Sequence, residues 1–382
     1  MKHNTNNNKK FPNLRFKEFE GEWEKITLHS IALITKGTGI SKDQLSLNGM
    51  PCILYGELYT KYKYEIINEI ISRTDINPTN LVKSKVNDVI IPSSGETAID
   101  ISTARCVTQN DILLGGDLNI IRLKNDDGCF LSYQLNGIRK LDIAKIAQGV
   151  SVVHLYGEKL KHLQVYMPEK IEQKKISSLL YQIDERISTQ IKIIEKFESL
   201  IKGIYNFLLG ESSDYMKLGG LCEIKKGQQV NGTELTEFGE YYVMNGGIAP
   251  SGFYNFYNTN SNTISISEGG NSCGYVQYND LPFWSGGHCY TLENVEGIIN
   301  DRYLFHYLKA NEASIMALRI GSGLPNIQKK DLSSFGVPLP TLTKQKEMAN
   351  TLDKVVDKIG IEKGILAAYQ KQKKFLLQSM FI

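Results

Sequence analysis

The chain has 382 residues, of which 41% are hydrophobic and 22% are charged, with a formal net charge of +3. This length and hydrophobic content are enough for two sizeable cores. No apolar run approaches the roughly 20 residues of a membrane span, and residues 1–10 have no apolar stretch of the signal-peptide kind. We therefore expect a cytoplasmic protein without membrane contact.

The positive charge is unevenly distributed along the chain. Residues 1–20 carry +3 and residues 341–382 carry +4, whereas residues 21–168 are neutral and residues 215–340 carry −3. Non-specific affinity for DNA comes from Lys and Arg that neutralise phosphates, so the two middle segments cannot bind DNA tightly through charge alone. This distribution argues against a stand-alone DNA-binding protein.

The predicted elements of the first half alternate short strands with Gly-rich turns. In chain order they are a strand or short helix at residues 26–34, a strand and loop at 53–60, a buried strand at 89–92, a strand at 113–123, a helix at 131–147 and a strand at 163–167. The second half has a similar order, with a strand at residues 263–267 and a helix at 301–320.

A long amphipathic helix is predicted in the middle of the chain. Apolar residues recur every three or four positions over residues 171–209 without a Pro. About forty residues at 1.5 Å each give a rod of about 60 Å, which is typical of one half of a coiled coil. The alternative is a core helix of a larger bundle. The residues expected to pack on a partner helix are Ile176, Leu180, Ile183, Ile187, Ile191 and Ile194.

The second half of the chain repeats the first. A shift of 172 positions, without a gap, brings Pro168, Gln173 and Leu180 onto Pro340, Gln345 and Leu352. The apolar stripe returns as well, which predicts a second long helix over residues 341–381. Its expected packing residues are Leu352, Val355, Ile359 and Leu366.

Common catalytic and metal-binding motifs are missing from the sequence. There is no GxxxxGK[ST] phosphate loop, no HExxH zinc motif and no CxxC pair among the six cysteines. A self-contained nuclease or methyltransferase would need motifs that are not found. We therefore expect no catalytic residues, no metal site and no cofactor bound by this chain.

Several motifs resemble those of one family, the specificity (S) subunits of type I restriction-modification systems, and the resemblance covers essentially the whole chain. The motifs are Leu14-Arg-Phe, Phe19-Glu-Gly-Glu-Trp23, Tyr55-Gly with Tyr59-Thr, Ser94-Gly-Glu-Thr97, Gly116-Asp-Leu-Asn119, Pro168 with Ile171-Glu-Gln-Lys-Lys-Ile176, and the echo Pro340-Thr-Leu-Thr-Lys-Gln-Lys346. The second copy departs from the pattern, with Thr343-Lys-Gln in place of Ile171-Glu-Gln and Glu268-Gly-Gly-Asn in place of Ser94-Gly-Glu-Thr.

The resemblance implies an α+β fold with an internal pseudo-two-fold repeat. Two tandem target-recognition domains would be separated by two long antiparallel coiled-coil spacer helices. The expected boundaries are a tail at residues 1–20, the first recognition domain at 21–168, the central spacer helix at 169–212, the second recognition domain at 213–340 and the C-terminal spacer helix at 341–382.

The resemblance also implies a non-catalytic function. The chain would recognise a bipartite, asymmetric target in double-stranded DNA and position two methyltransferase (M) subunits and the restriction (R) subunits on it. S-adenosylmethionine would bind the methyltransferase partner, and ATP and Mg would bind the restriction partner. Two alternatives are the specificity subunit of a related system, in which one partner chain carries both methylase and nuclease, and a coiled-coil scaffold that does not bind DNA.

Candidate DNA-contacting residues lie in Tyr-, Asn- and Gln-containing loops. Rings, amides and cations at loop tips can contact base edges and phosphates, and Gln or Asn can bind adenine through two hydrogen bonds. The alternative is that the tyrosines line the domain cores. The candidates are Lys36, Tyr55, Tyr59, Thr60, Ser94, Glu96, Ser151 and His154 in the first half. In the second half they are Lys226, Gln228, Gln229, Asn245, Asn271, Ser322 and Asn326.

Overall fold

The computed structural model describes residues 11–209, 214–321, 323 and 325–382. The chain divides into two compact units. The first unit combines residues 1–191 with residues 365–382, and the second contains residues 192–364. Each unit therefore includes part of both long helices, and the first unit is built from two distant parts of the sequence.

The first unit mixes short strands with short helices. Its strands are β1 (Glu24–Thr27), β2 (Ala32–Lys36), β3 (Leu45–Ser46), β4 (Met50–Ile53), β5 (Ile66–Ile67), β6 (Ser72–Thr74), β7 (Val89–Pro92), β8 (Ser94–Gly95), β9 (Arg105–Val107), β10 (Leu113–Leu114), β11 (Leu118–Leu123), β12 (Val153–His154) and β13 (Gln164–Met167). Its helices are α1 (Leu28–Ile31), α2 (Glu57–Thr60), α3 (Gly128–Asn136), α4 (Lys140–Ile146) and α5 (Gly157–Lys161), and the long helix α6 (Lys170–Leu209) follows.

The main sheet of the first unit has the strand order β2-β11-β7-β9-β5. Strand β7 is apolar throughout, and all of its residues are buried. Since successive side chains of a strand point to opposite sides, both faces of the sheet are covered at β7. Val89 and Ile91 join the core beneath α3, whereas Ile90 joins a second core with Ile53 and Leu58. The loop that follows Ile53 is thereby held on the face of the sheet opposite α3. A further sheet has the order β10-β4-β6-β3, with β10 parallel to β4.

The second unit repeats this plan with fewer strands among the described residues. The strands are β14 (Tyr215–Lys217), β15 (Glu223–Lys226), β16 (Tyr241–Met244), β17 (Phe253–Tyr254), β18 (Thr263–Ser267), β19 (Val276–Asn279), β20 (Trp284–Ser285), β21 (Cys289–Glu293) and β22 (Gly336–Pro338). The helices are α7 (Asp301–Ala310), α8 (Glu312–Met316), α9 (Lys329–Ser333) and the long helix α10 (Leu342–Ser379). The sheet orders are β15-β21-β18-β19 and β17-β16-β20.

Two helices predicted as continuous are each broken in the structure. The predicted helix at residues 131–147 ends at Asn136 and resumes at Lys140, because Gly137 leaves the helical conformation. The predicted helix at residues 301–320 is interrupted at Asn311, whose side-chain amide donates to the Tyr307 carbonyl at 2.9 Å. Such local side-chain bonds compete with the helical backbone ladder, so Asn favours a break.

The two long helices are present and pack antiparallel. In the first unit, Lys373 Nζ lies 2.6 Å from Asp184 Oδ1, and the Arg186 guanidinium lies 6.0 Å from the Tyr369 ring. In the second unit, Lys363 Nζ lies 2.9 Å from Glu198 Oε1. As the residue numbers increase along α6, the residue numbers of the contacting side chains on α10 decrease, so the two helices run antiparallel. The predicted helices are confirmed, and α10 ends at Ser379 rather than at residue 381.

The apolar stripe of α6 packs on the first unit's core as well as on α10. Ile176, Leu180, Ile183 and Ile187 belong to one buried cluster with Phe130 of α3 and with α10 residues. The sequence pattern predicted that these residues pack on a partner helix, and in the structure they also pack on the core of the unit. Of the other predicted packing residues, Ile194, Leu352 and Ile359 are buried, and Ile191, Val355 and Leu366 are half-buried.

A buried glutamine near the start of each long helix connects that helix to its unit. Gln173 Oε1 accepts from the backbone N–H of Asp127 at 2.9 Å, and its Nε2 donates to the Pro168 carbonyl at 2.8 Å. Gln345 makes the same two bonds, at 2.7 and 2.8 Å, with Asn300 and Pro340. Asp127 and Asn300 are themselves the N-caps of α3 and α7. The 172-residue repeat therefore preserves a hydrogen-bonded joint between the strand end, the capped helix and the long helix.

The end of α10 completes the core of the first unit. The Phe381 ring packs against Trp23 and Phe130, with centroid distances of 6.4 and 5.2 Å. The Arg139 guanidinium donates to the Ile382 carbonyl at 2.6 Å. Arg15, within the predicted tail, forms two 2.7 Å hydrogen bonds with the buried Glu172 carboxylate. Residues 1–10 of that tail lie outside the described residues.

Candidate nucleic-acid interface

Within each unit, two loops approach each other so closely that only glycine fits, and they do so at equivalent places in the two units. A Cβ added to Gly37, which follows β2, would overlap the Gly115 carbonyl. A Cβ added to Gly227, which follows β15, would overlap the Gly286 carbonyl. Backbone contacts of this kind require residues without a side chain. Both units therefore hold their candidate loops on the same glycine framework.

In the first unit, a buried carboxylate fixes the loop that carries Tyr55, Tyr59 and Thr60. Glu57 Oε2 accepts from the backbone N–H of Leu54 at 2.9 Å. Glu57 Oε1 lies 2.7 Å from Lys61 Nζ and also accepts from the Ser72 hydroxyl. Because a buried charge is stable only when it is paired and hydrogen-bonded, these bonds hold the loop in one conformation.

The structure brings most first-half candidates together. Tyr59 lies beside Gly95, and burial raises its pKa, with further contributions from Tyr55, Asp100 and Glu96. His154 of β12 pairs with Ser94 of β8. Ser94 itself is only 6% exposed, which argues against a direct contact with DNA. The candidates that are exposed are Lys36, Thr60, Glu96, Ser151 and His154, and Tyr55 and Tyr59 are half-buried.

A cavity of about 690 Å³ lies at these loops. Tyr55 and Thr60 line it, together with the cationic side chains of Lys42 and Lys61. Main-chain atoms of Gly39 and Gly116 complete its wall on the side of the glycine framework. The first unit therefore presents a concave surface that combines an aromatic ring, a hydroxyl and the ammonium of Lys42, whereas Lys61 is paired with Glu57 and Asp117 also lines the cavity.

In the second unit, the candidates occupy matching places but have different side chains. The Gln228 backbone N–H donates to the Ser285 carbonyl at 2.8 Å, as the Thr38 N–H donates to the Leu114 carbonyl at 3.1 Å in the first unit. Asn326 exchanges two backbone bonds with Ile320, as His154 does with Gln148. Gln228, Gln229, Asn271 and Asn326 are exposed, and Ser322 lies outside the described residues.

The side chain of Asn245 is already used within the protein to support a neighbouring loop. Its Oδ1 accepts from the backbone N–H of His288 at 3.2 Å. A Cβ added to Gly286 would also lie within 2.8 Å of the Asn245 side chain. Asn245 therefore braces the Gly286-Gly287 loop, and only its amide nitrogen is left for a ligand.

The charge at the equivalent strand ends differs between the two units. Lys226 Nζ lies 2.6 Å from Glu268 Oε1, a buried carboxylate that also accepts from the Tyr290 hydroxyl at 3.1 Å. Lys36, at the same place in the first unit, has no carboxylate within 4.0 Å among the described residues. The sequence has no Lys or Arg between Lys226 and Arg302. Lys36 is thus available to bind a phosphate in the first unit, whereas Lys226 in the second unit is neutralised by Glu268.

Sequence reasoning missed Glu57 and Glu268, the two buried carboxylates that position these loops. Each is adjacent to a glycine, Gly56 before Glu57 and Gly269 after Glu268, which is the available sequence signal. Among the described residues, no group of three or more His, Cys, Asp or Glu side chains is arranged to hold a metal ion. The described helices also include none that is long and apolar enough to cross a membrane.

Comparison with known proteins identifies the family to which the chain is similar. The family described as type I restriction modification DNA specificity domain matches residues 20–198 and 211–370. A putative type I specificity subunit of Mycoplasma pneumoniae is 36% identical over 148 residues, covering 38% of this chain and 39% of that protein. A putative type I specificity subunit of Mycoplasma genitalium is 34% identical over 137 residues, covering 35% of this chain and 36% of that protein. The chain thus aligns with well under half the length of each of these relatives.

A solved structure extends the similarity to the whole fold. The crystal structure of the S subunit of a type I restriction-modification system from M. genitalium superimposes with a TM-score of 0.74. The superposition covers 97% of this chain and 99% of that chain at 21% sequence identity. The two matched segments span most of the sequence and agree with the two units and the paired long helices, and the chain belongs to the type I restriction-modification DNA specificity family.

Proposed function

We propose that this chain recognises a bipartite, asymmetric sequence in double-stranded DNA and reads one half with each unit. The observation that carries this proposal is the pair of equivalent glycine-framed loops with unlike side chains. Thr38 corresponds to Gln228, and His154 corresponds to Asn326. A shared framework with different tips suits two sequence specificities, because loops contact ligands while the scaffold positions them.

The chain acts as the non-catalytic member of a complex. Two methyltransferase subunits and the restriction subunits bind it, S-adenosylmethionine is bound by the methyltransferase, and ATP and Mg by the restriction subunit. The charge of the two sequence segments that carry the candidate loops supports this division: residues 21–168 are neutral and residues 215–340 carry −3, so the partners must supply most phosphate contacts. DNA modification of this kind places the chain in the cytoplasm.

Methylome sequencing tests the assignment of half-sites to units. A strain that expresses the chain with its methyltransferase is compared with one that carries Gln228→Ala. Because a bidentate Gln contact is worth about 1–3 kcal/mol of discrimination, the variant should methylate sites relaxed at one half only. Gln372→Ala, at an exposed position of α10, is the matched control and should leave the target unchanged.

Three outcomes would count against the proposal. Relaxation of both half-sites, or of the half-site that a first-unit variant such as His154→Ala relaxes, would contradict the assignment of Gln228 to one half. Unchanged specificity in the variant would exclude Gln228 from readout. Absence of methylation with the wild-type chain and its methyltransferase would overturn the function itself.

A further inference from the structure

The second unit has an exposed aromatic face on the sheet β17-β16-β20. Tyr241 and Tyr254 lie opposite each other on neighbouring strands. The Tyr241 ring is 5.0 Å from Tyr257, and the Tyr254 ring is 5.0 Å from Trp284 and 5.5 Å from Phe256. On the other side of β16, Tyr242 stacks on Phe283 within a small core. Because successive side chains of a strand point to opposite faces, the sheet buries one set of rings and leaves the other set at the surface.

The rings at this surface are large and open to solvent. Phe256 is 63% exposed and Tyr257 is 49% exposed. Phe238, in the loop that precedes β16, is 85% exposed. Aromatic side chains are enriched in protein–protein interfaces, where burial of the ring supplies much of the binding energy. The rings of Tyr241, Tyr254, Phe256, Tyr257 and Trp284, with Phe238 in the loop before β16, therefore mark a binding surface rather than ordinary surface variation.

The charge around the rings is negative only. Glu234 accepts from the Tyr254 hydroxyl at 3.1 Å, and Glu240 accepts from the Tyr241 hydroxyl at 2.9 Å. Glu237 is exposed next to Phe238. Within the described ranges, none of these three carboxylates has a Lys, Arg or His nitrogen within 4.0 Å. The nearest positions in the sequence that carry Lys or Arg are Lys226 and Arg302.

This combination identifies the kind of partner. DNA carries a dense row of phosphates and would be repelled by three uncompensated carboxylates, so the edge of the face that carries Glu234, Glu237 and Glu240 does not suit the duplex. The opposite edge adjoins the candidate DNA-reading loop, because the Trp284 indole N–H donates to the Gln228 carbonyl at 2.8 Å. We infer that the face binds a protein surface rich in Lys and Arg on the methyltransferase subunit. The inference rests on the proposed function, because it places on this face a partner which that function requires. The rings supply the buried centre of the contact and the carboxylates supply its charged rim.

Two substitutions at exposed positions test this interface without disturbing the fold. Glu237→Lys reverses one rim charge, and Phe238→Ser removes the most exposed ring. The affinity of the full chain for its purified methyltransferase subunit is measured by titration calorimetry between about 50 and 200 mM salt. Phe238→Ser should weaken binding about tenfold, as loss of an aromatic anchor does. Glu237→Lys should weaken it at low salt and flatten its salt dependence.

Matched controls lie elsewhere on the same unit. Glu296→Lys makes the same charge change at an exposed carboxylate, and Ile298→Ser removes another exposed apolar side chain. Both should bind the methyltransferase subunit like the wild type. Wild-type affinity in both test variants would overturn the inference. So would tighter DNA binding by Glu237→Lys with unchanged subunit binding, because that result would place the face on DNA.

The same titration separates the inference from the function on which it depends. If the wild-type chain does not bind the methyltransferase subunit at all, the proposed function is wrong. If the wild-type chain binds and the two test variants behave like their controls, the function stands and only the docking face is wrong. Thermal melting of each variant checks that the fold is retained.

Discussion

Lys36 and Lys226 show how one contact changes what a residue can do. Both lie at the end of the strand that enters their unit's candidate loops, and both are exposed. Lys226 is bound to the buried Glu268 carboxylate, whereas Lys36 has no such partner among the described residues. A lysine already neutralised by a neighbour gains little from a phosphate, because its pairing must be given up first.

Substitution of these two lysines should therefore have unequal effects on DNA binding. In the complete complex, Lys36→Ala should lower affinity for all sequences alike and reduce the slope of log K against log salt by about one unit. Lys226→Ala should change that slope much less. Fluorescence anisotropy with target and non-target duplexes over a salt series measures both effects. Equal slopes for the two variants would contradict the difference in pairing.

Asp184 forms part of a buried charge cluster between α6 and α10 in the first unit. Lys373 Nζ lies 2.6 Å from both Asp184 and Glu65, and the Tyr133 hydroxyl donates to Asp184 at 2.8 Å. Burial raises the pKa of Asp184 to about 6, and the ammonium of Lys373 only partly opposes this rise. Two carboxylates sharing one buried cation produce this result, because the charged form of one is poorly solvated.

The raised pKa of Asp184 makes the stability of the first unit pH-dependent. Between about pH 4 and pH 6 the folded carboxyl still holds a proton that the unfolded chain has released, so the free energy of unfolding falls as pH rises. Asp184→Asn removes this titration. As pH rises across this range, the free energy of unfolding of the wild type should fall by about 1–3 kcal/mol relative to that of the variant, as measured by urea unfolding. Parallel pH profiles would show that Asp184 titrates normally.

At the scale of elements, α10 is expected to contribute more to the first unit than to helix pairing alone. Phe381, which lies just beyond the end of α10, packs against Trp23 and Phe130 in that unit's core, whereas Phe375 within the helix is exposed. Loss of a buried aromatic ring leaves a cavity that the surroundings only partly fill. The end of α10 therefore functions as a core element of a unit whose other residues lie far away in the sequence.

Phe381→Ala should destabilise the first unit by about 3–5 kcal/mol, and Phe375→Ala by much less. The chain has two tryptophans, Trp23 in the first unit and Trp284 in the second. In a Trp284→Phe background, Trp23 fluorescence reports on the first unit during urea unfolding. The same midpoint for the two alanine variants would show that the ring does not contribute to that core.

Elements with a strong period were predictable from the sequence, and elements fixed by long-range contacts were not. The stripe of α6 has an uninterrupted spacing, the stripe of α10 keeps the same register with gaps, and the shared Gln173 and Gln345 indicated the repeat. The function of these glutamines was not visible, because their partners at Asp127 and Asn300 are some 45 residues distant in sequence. The breaks at Gly137 and Asn311 depend on local bonds that periodicity ignores.

The candidate site was predicted unevenly for a similar reason. The loops were recognisable by their Gly, Tyr and Asn content, and most candidates are exposed. The sequence could not show that Ser94 is buried or that Asn245 supports a neighbouring loop, since both facts depend on strands brought together by the fold. The unequal pairing of Lys36 and Lys226 likewise requires Glu268 to be placed in space.

At the scale of the whole molecule, the charge distribution sets how the chain can bind DNA. Residues 21–168 are neutral and residues 215–340 carry −3, so these two segments, which carry the candidate loops, can neutralise few phosphates. The purified chain should bind DNA weakly. With methyltransferase subunits present, binding should become tight and sequence-specific, with a salt slope of about 0.9 for each phosphate contacted. A nanomolar, sequence-specific shift by the chain alone at physiological salt would refute this expectation.

The placement of residues 365–382 in the first unit also orders events during synthesis. The ribosome must translate the entire second unit before it supplies Phe381 to the core around Trp23 and Phe130. Domains generally fold as they emerge, so the unit translated first has to wait with an open apolar surface while the later one can already fold. A ribosome that stalls or terminates near residue 375 would therefore damage the beginning of the protein, and chaperones would be needed most by the segment that was made earliest.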